Sequence, residues 1–305
     1  MLIKYGSFMY FFYIFLALGI CAALYFIFRK RSMFAKKMLV FSLMGINFLQ
    51  HIFKFIIYKP YRSVGFSYAD TIYNMCAFLI ITAPFFIAFG GKLLKDFTVY
   101  VGSFAGMIAI LVPYWYIGLS AFGWEQFRFY LCHTLLFVSS MLVALLGIHK
   151  PTFKNFYKIP FLFFFALIII IINDIITIAL GIYEGRSIYN LYAELSNLNP
   201  VWSFHPNEGF GWLEKIISVF TPNVFLGNAD KVYVPILWYA IPVYLFITIL
   251  VFIVGAIVDR ENFKDFLEKC KVLSKKILQK CKAFCRKTKE LFEKCKTKIK
   301  NNRRK

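Results

Sequence analysis

The chain has 305 residues, of which 60% are hydrophobic and 17% charged, and its formal net charge is +21. Soluble domains average about 45–50% apolar and about 25% charged, so the composition excludes an ordinary soluble globular protein. The basic excess does not indicate nucleic-acid binding: residues 259–305 alone hold 18 basic against 6 acidic side chains, a net of +12, and most of the remainder flanks apolar runs.

Apolar runs of about 20 residues, long enough to cross a hydrocarbon core, occur at roughly 8–28, 38–57, 71–89, 97–119, 127–148, 159–182 and 233–258. They predict an all-α polytopic membrane protein. The expected architecture is a seven-helix transmembrane bundle over 1–258, followed by a basic amphipathic helix over 259–305. The first run does not read as a cleavable signal, because only Lys4 precedes it whereas Arg29, Lys30, Arg31, Lys36 and Lys37 follow it. Lys and Arg number 5, 2, 3 and 18 in segments 29–37, 90–96, 149–158 and the tail. They number 1, 3, 1 and 3 in the N-terminus and segments 54–70, 120–128 and 183–232. The positive-inside rule then puts the N-terminus outside and the tail in the cytoplasm, in a bacterial plasma membrane.

Polar residues interrupt several runs. Asn47 and His51, four apart on the second run, share a helix face with Gln50 beside them. Asp70 and Asn74 stand in the same relation at the start of the third run, just before Cys76. The fifth run opens with Arg128, read as an outer-boundary anchor, then Cys132 and His133. Asn173 and Asp174 lie near the outer end of the sixth. Counting from the run boundaries, Cys76 and His133 each fall about six residues in, or about 9 Å deep at 1.5 Å per residue. Intramembrane ionisable groups avoid lipid and mark function or pairing, so these residues predict a polar pocket beneath the outer face. Neighbouring residues on a helix point about 100° apart, which turns Cys132 away from His133.

The outer segment 183–232 is long for a plain connection. Trp212, Ile216 and Phe220 suggest a short interfacial helix, and Trp202 and Trp212 suit the headgroup level. The segment reads equally as a lid or as a loop resting on the membrane. In the tail, Phe263, Leu267, Cys270, Leu273, Ile277, Cys281, Phe284, Cys285, Leu291, Cys295 and Ile299 form a stripe at helical spacing, with lysines opposite. Anionic lipid headgroups are its expected partner; a partner helix is the alternative. The cysteines show neither disulfide nor zinc spacing, and no cofactor or metal is expected.

A Cys–His pair at one depth suggests nucleophilic acyl chemistry, with imidazole taking the thiol proton. Asp174 or His51 is the candidate to orient that imidazole. The segments 73-YNMC-76, 100-YVGSFAGMIAILVP-113 and 127-FRFYLCHTLLF-137, with 57 residues from Cys76 to His133, also resemble the YwaF-like integral membrane proteins of bacteria, related to transmembrane protein 164 of animals. The likeness covers roughly residues 40–250. It implies a seven-span bundle that transfers glycerolipid acyl groups through an acyl-cysteine, with Cys76 as nucleophile and His133 as base. The family usually has a His two residues before the Cys, where this chain has Asn74.

The resulting expectation is a membrane acyltransferase or acyl hydrolase acting on phospholipid, served by Cys76 and His133. Asn74, Asp174, His51, Asn173 and Asn47 would be the supporting groups. A different class remains open: a proton-linked transporter or solute-binding bundle with His51, His133 and Asp174 along its path. A third is a scaffold whose basic tail recruits partners.

Overall fold

A computed structural model describes residues 2–58, 66–182, 185–206, 211–227 and 232–302. The described residues are built from helices and connections, and an isolated bridge between Leu2 and Ser120 is the extent of their β pairing. The chain divides into two compact units, Met1–Val258 and Asp259–Lys305.

The first unit contains α1 (Phe8–Phe28), α2 (Met33–Ile52), the single turn α3 (Lys54–Ile57), α4 (Met75–Phe89), α5 (Lys92–Phe97), α6 (Ser103–Leu111), α7 (Trp124–Leu145), α8 (Ile159–Ala179), α9 (Leu191–Leu198), α10 (Gly211–Phe220) and α11 (Leu237–Val258). A π-helical stretch, Thr98–Gly102, joins α5 to α6 in one rod. Among the described residues five helices are long and apolar enough to cross a membrane: α1, the α5–α6 rod, α7, α8 and α11. Helix α4 is apolar but only 15 residues long, and α2, at 20 residues, carries Lys36, Lys37, Asn47, Gln50 and His51. The protein is thus a helical membrane protein with five spans evident by length and composition.

Several helix ends differ from the apolar runs, for local reasons. The run at 71–89 becomes helical only at Met75, because Asn74 caps it: its Oδ1 accepts the Ala77 amide at 2.8 Å. Cys76 therefore sits in the first turn of α4, not six residues into a span. The run at 97–119 is helical from Lys92 and stops at Leu111. Pro113 disfavours helical backbone at Val112, which turns to φ −127°, ψ 67°. Helix α7 starts at Trp124, so His133 lies deeper along its helix than Cys76 does along α4.

Helix α7 packs against α1, α2, α4 and α6. Its seam with the α5–α6 rod uses small residues, as membrane helices do when backbones approach closely. Gly102 faces Ser140, and Gly106 faces the backbone of His133 and Phe137. On the α1 side, Tyr13 and Tyr130 stack with centroids 3.6 Å apart and planes 1° from parallel. Tyr13 also donates to the Ala121 carbonyl at 2.7 Å, and Tyr10 to that of Leu111 at 2.9 Å.

At the opposite end of α7, fully buried Asp96 gathers three donors. His149 Nε2 lies at 2.6 Å, Asn155 Nδ2 at 2.7 Å and the Thr152 amide at 3.2 Å. One carboxylate thereby ties α5 to the connection between α7 and α8.

The expected interfacial helix is α10, and it packs on α11. The Trp212 side chain lies outside the described residues, as do residues 183–184, 207–210 and 228–231 of the long connection. Trp202 is half-buried, and its carbonyl accepts Trp238 Nε1 at 3.1 Å, which ties it to α11. Thr221 Oγ1 adds a bond to the Trp238 carbonyl at 2.9 Å.

The second unit is the helix α12 (Arg260–Asn302). Asp259 starts it: its carbonyl accepts the Phe263 amide at 3.0 Å and its carboxylate holds Asn262 Nδ2. Leu267, Val272, Leu273, Ile277, Leu278 and Phe284 are exposed along it. The pairs Asp265–Lys269 and Glu268–Lys271 are solvent-exposed and contribute little.

Candidate functional site

His133 is the centre of a thiol–imidazole cluster between α4 and α7. Its Nδ1 lies 2.7 Å from the Phe129 carbonyl, one turn earlier on α7. A carbonyl oxygen can only accept, so Nδ1 carries a proton, and the neutral form of the ring has its lone pair on Nε2. The Phe129 ring packs on the imidazole with centroids 4.3 Å apart. The thiol of Cys76 acts electrostatically on the same imidazole. Cys76 and His133 are both half-buried, so the pair is within reach from outside the core.

Cys132 is closer to this cluster than helix geometry suggested. Its Sγ is 3.3 Å from His133 Nδ1 and donates to the same Phe129 carbonyl at 3.2 Å. The expectation that it faces elsewhere is corrected: adjacent Cβ directions diverge, but both side chains fold back onto one acceptor. Cys132 is buried and its hydrogen is directed at a backbone oxygen, an arrangement suited to holding the ring.

The supporting residues divide into separate groups. Asn47 Nδ2 donates to the Cys132 carbonyl at 3.0 Å and accepts Gln50 Nε2 at 2.6 Å. Gln50 in turn accepts the Tyr58 hydroxyl at 2.9 Å, so a buried polar chain clamps α2 to α7. His51 Nε2 donates to the Thr71 carbonyl at 3.0 Å and stacks on Tyr73. Asn173 Nδ2 donates to Thr71 Oγ1 at 3.0 Å. Asp174, fully buried, receives Asn173 Nδ2 at 3.5 Å and a hydrogen bond from Tyr68. The two candidates for orienting His133, Asp174 and His51, thus bind the 66–74 lead-in instead, and a backbone carbonyl takes the orienting role. Asn74 spends its Oδ1 on the α4 cap, and its Nδ2 remains the end that can donate.

Two cations do more than flank the apolar runs. Lys54 falls by sequence in the connection 54–70, yet it is 1% exposed. It bonds to the Ala69 carbonyl, lies 3.8 Å from buried Asp70, and stands 5.5 Å over the Tyr73 ring. The signal was available, since a lysine interrupting an apolar run needs a partner. Arg128 does not simply anchor an outer boundary. Its side chain is 13% exposed, 3.4 Å from Glu125 and hydrogen-bonded with Tyr116. It also acts electrostatically on His51, Lys54, Tyr58, Tyr73 and Cys132.

Helix α4 adds a further feature. Met75 and Cys76 occupy its first two positions, where amide N–H groups have no intrahelical acceptor and the helix end favours negative charge. A thiol in such a turn is a suitable nucleophile, and the free amides suit an oxyanion. Among the described residues, no three His, Cys, Asp or Glu side chains converge to hold a metal ion.

With this geometry in view, comparison with known families is decisive. The TMEM164 family model matches residues 4–199. The chain belongs to the TMEM164 family. The match spans α1 through α9 and so takes in both Cys76 and His133. No curated protein and no solved structure gives a match.

Proposed function

We propose that this TMEM164-family protein is a lipid acyltransferase or acyl hydrolase that forms an acyl-thioester on Cys76. The observation that carries the reading is a His133 imidazole whose Nδ1 is committed to Phe129 and on which the Cys76 thiol, in the first turn of α4, acts electrostatically. His133 Nε2 takes the thiol proton while Sγ attacks an ester carbonyl of a glycerophospholipid. The Met75 and Cys76 amides, with Asn74 Nδ2 beside them, receive the developing oxyanion. The tetrahedral adduct collapses by breaking the bond to the glycerol oxygen, which leaves with the proton held at Nε2. An acceptor alcohol or water then gives its proton to Nε2, attacks the thioester and releases the thiol. No metal or nucleotide enters these steps.

In this proposal the protein is a YwaF-like member spanning a bacterial plasma membrane seven times, with α2 and α4 as the two additional passes, its N-terminus outside and α12 inside. The lysine-rich face of α12 then meets the anionic lipid headgroups of the inner leaflet. A proton-linked path has less support: the described hydrogen bonds of His51, His133 and Asp174 lead to Thr71, Phe129 and Asn173, not to one another.

The test is incubation of the purified protein with a phospholipid carrying a fluorescent acyl chain, followed by mapping of covalent label. Thioester label on Cys76 that hydroxylamine removes is expected. Absence of label, with proton-coupled uptake surviving Cys76→Ala, would support the transporter instead.

A further inference from the structure

We propose that Arg128, with Lys54 beside it, forms a subsite for the phosphate of a glycerophospholipid and so selects phospholipid over neutral glyceride. The inference rests on the acyl-transfer reading above and names what binds next to the acyl ester.

Arg128 lies one helical turn before Cys132 on α7, on the same face and about 6 Å along the axis. Cys132 Sγ in turn touches His133 Nδ1. Tyr116, which hydrogen-bonds with Arg128, packs its ring on Phe129 with centroids 4.4 Å apart, and Phe129 packs on the imidazole that would handle the ester at 4.3 Å. In a glycerophospholipid only glycerol carbons separate the phosphate from its ester carbonyls, so both groups fit within such a span. Lys54, on the turn after α2, lies 3.8 Å from Asp70 and 5.5 Å over the Tyr73 ring, and it and Arg128 act on one another electrostatically. Like charges brought together in a poorly solvated place are costly, and a phosphate offsets that cost.

The carboxylates already present leave room for this role. Glu125 meets Arg128 at a long 3.4 Å and is 37% exposed, the kind of pair that is easily exchanged. Asp70 directs Oδ2 to Ser67 and only Oδ1 toward Lys54. A guanidinium has five N–H donors in a planar fork, which allows it to hold Glu125, Tyr116 and a phosphate oxygen together.

The experiment compares phosphatidylcholine and diacylglycerol carrying the same fluorescent acyl chain, using full-length protein in detergent and rates of Cys76 labelling as the readout. Wild type is expected to label faster with phosphatidylcholine by about tenfold, the scale of a charge-assisted hydrogen bond. Arg128→Gln should collapse that ratio toward one through a higher KM for phosphatidylcholine, and Arg128→Lys should keep part of it. A ratio unchanged in Arg128→Gln overturns the subsite. Labelling by neither lipid in wild type refutes acyl transfer itself, and the subsite with it.

A second measurement uses wild type alone and so avoids any folding defect of a variant. Glycerophosphocholine should slow labelling by diacylglycerol, whereas glycerol should not. Competition by inorganic phosphate with glycerophosphocholine inert, or no competition by either, overturns the proposal.

Discussion

Gly106 of α6 brings its backbone directly against His133 of α7: a Cβ at Gly106 would stand 2.8 Å from the His133 carbonyl oxygen and 2.6 Å from the Phe137 amide nitrogen. Both contacts are with backbone, which cannot rotate away. Gly106→Ala is therefore expected to push the two helices apart, lowering thermal stability and displacing the imidazole. Small displacements of a catalytic group cost rate steeply, so Cys76 labelling should fall by at least about tenfold. Gly45→Ala is the control: nothing lies within 4 Å of a Cβ there, and it should be neutral or slightly stabilising by about 0.5–1 kcal/mol.

The two thiols beside His133 should separate in their behaviour. Cys76→Ala is expected to abolish acyl label. Cys132→Ala should still be labelled at Cys76, with a moderate rate loss from a less constrained ring. Mass spectrometry of labelled peptides decides between them; label on Cys132 in wild type would reverse the assignment.

Asn74 has a structural task whatever the chemistry. Asn74→Ala removes the α4 cap and should cost about 1 kcal/mol, whereas Asn74→Asp should keep the cap and most of the stability. Thermal denaturation in detergent reads both. If Asn74→Asp holds its melting temperature but loses label, Nδ2 is the group that the reaction needs.

Asp96 is expected to be the most sensitive polar position outside the site. Asp96→Ala leaves the Thr152 amide and the side chains of His149 and Asn155 without their acceptor, at a cost of several kcal/mol, since each buried unsatisfied donor costs about 1–3 kcal/mol. Asp96→Asn keeps one acceptor oxygen and should lose less. Melting temperature of the pair of variants checks the order.

The basic tail should respond to lipid charge. In proteoliposomes with an accessible tail, trypsin cleavage within 259–305 should be slower on anionic than on neutral lipid. High salt should erase the difference, because screening shortens the reach of the lysines. Equal protection on both lipids would point to a protein contact for the stripe.

The helical membrane character was legible because apolarity over about 20 residues leaves few alternatives. Helix ends were less so. Apolarity continues past the places where Asn74 caps and Pro113 interrupts, and only those local signals mark the true ends. The same limit affected the site. Run boundaries put Cys76 and His133 at equal depth, whereas α4 begins late, at Met75, and α7 early, at Trp124. The contact of Cys132 with His133 depends on two side chains bending to one carbonyl, which residue spacing does not encode. Lys54 and Arg128 read as flanking charges in the sequence, since a linear count cannot tell a cation facing water from one folded against Asp70 and Tyr73 or against Glu125.

The Phe129 carbonyl fixes more than the orientation of His133. Because it holds the Nδ1 proton, the ring offers one nucleophilic nitrogen to anything that reaches it. Electrophiles that modify His133 should therefore yield a single regioisomer, substituted at Nε2. The distribution of products on that imidazole then becomes a chemical record of whether the α7 hydrogen bond stayed closed.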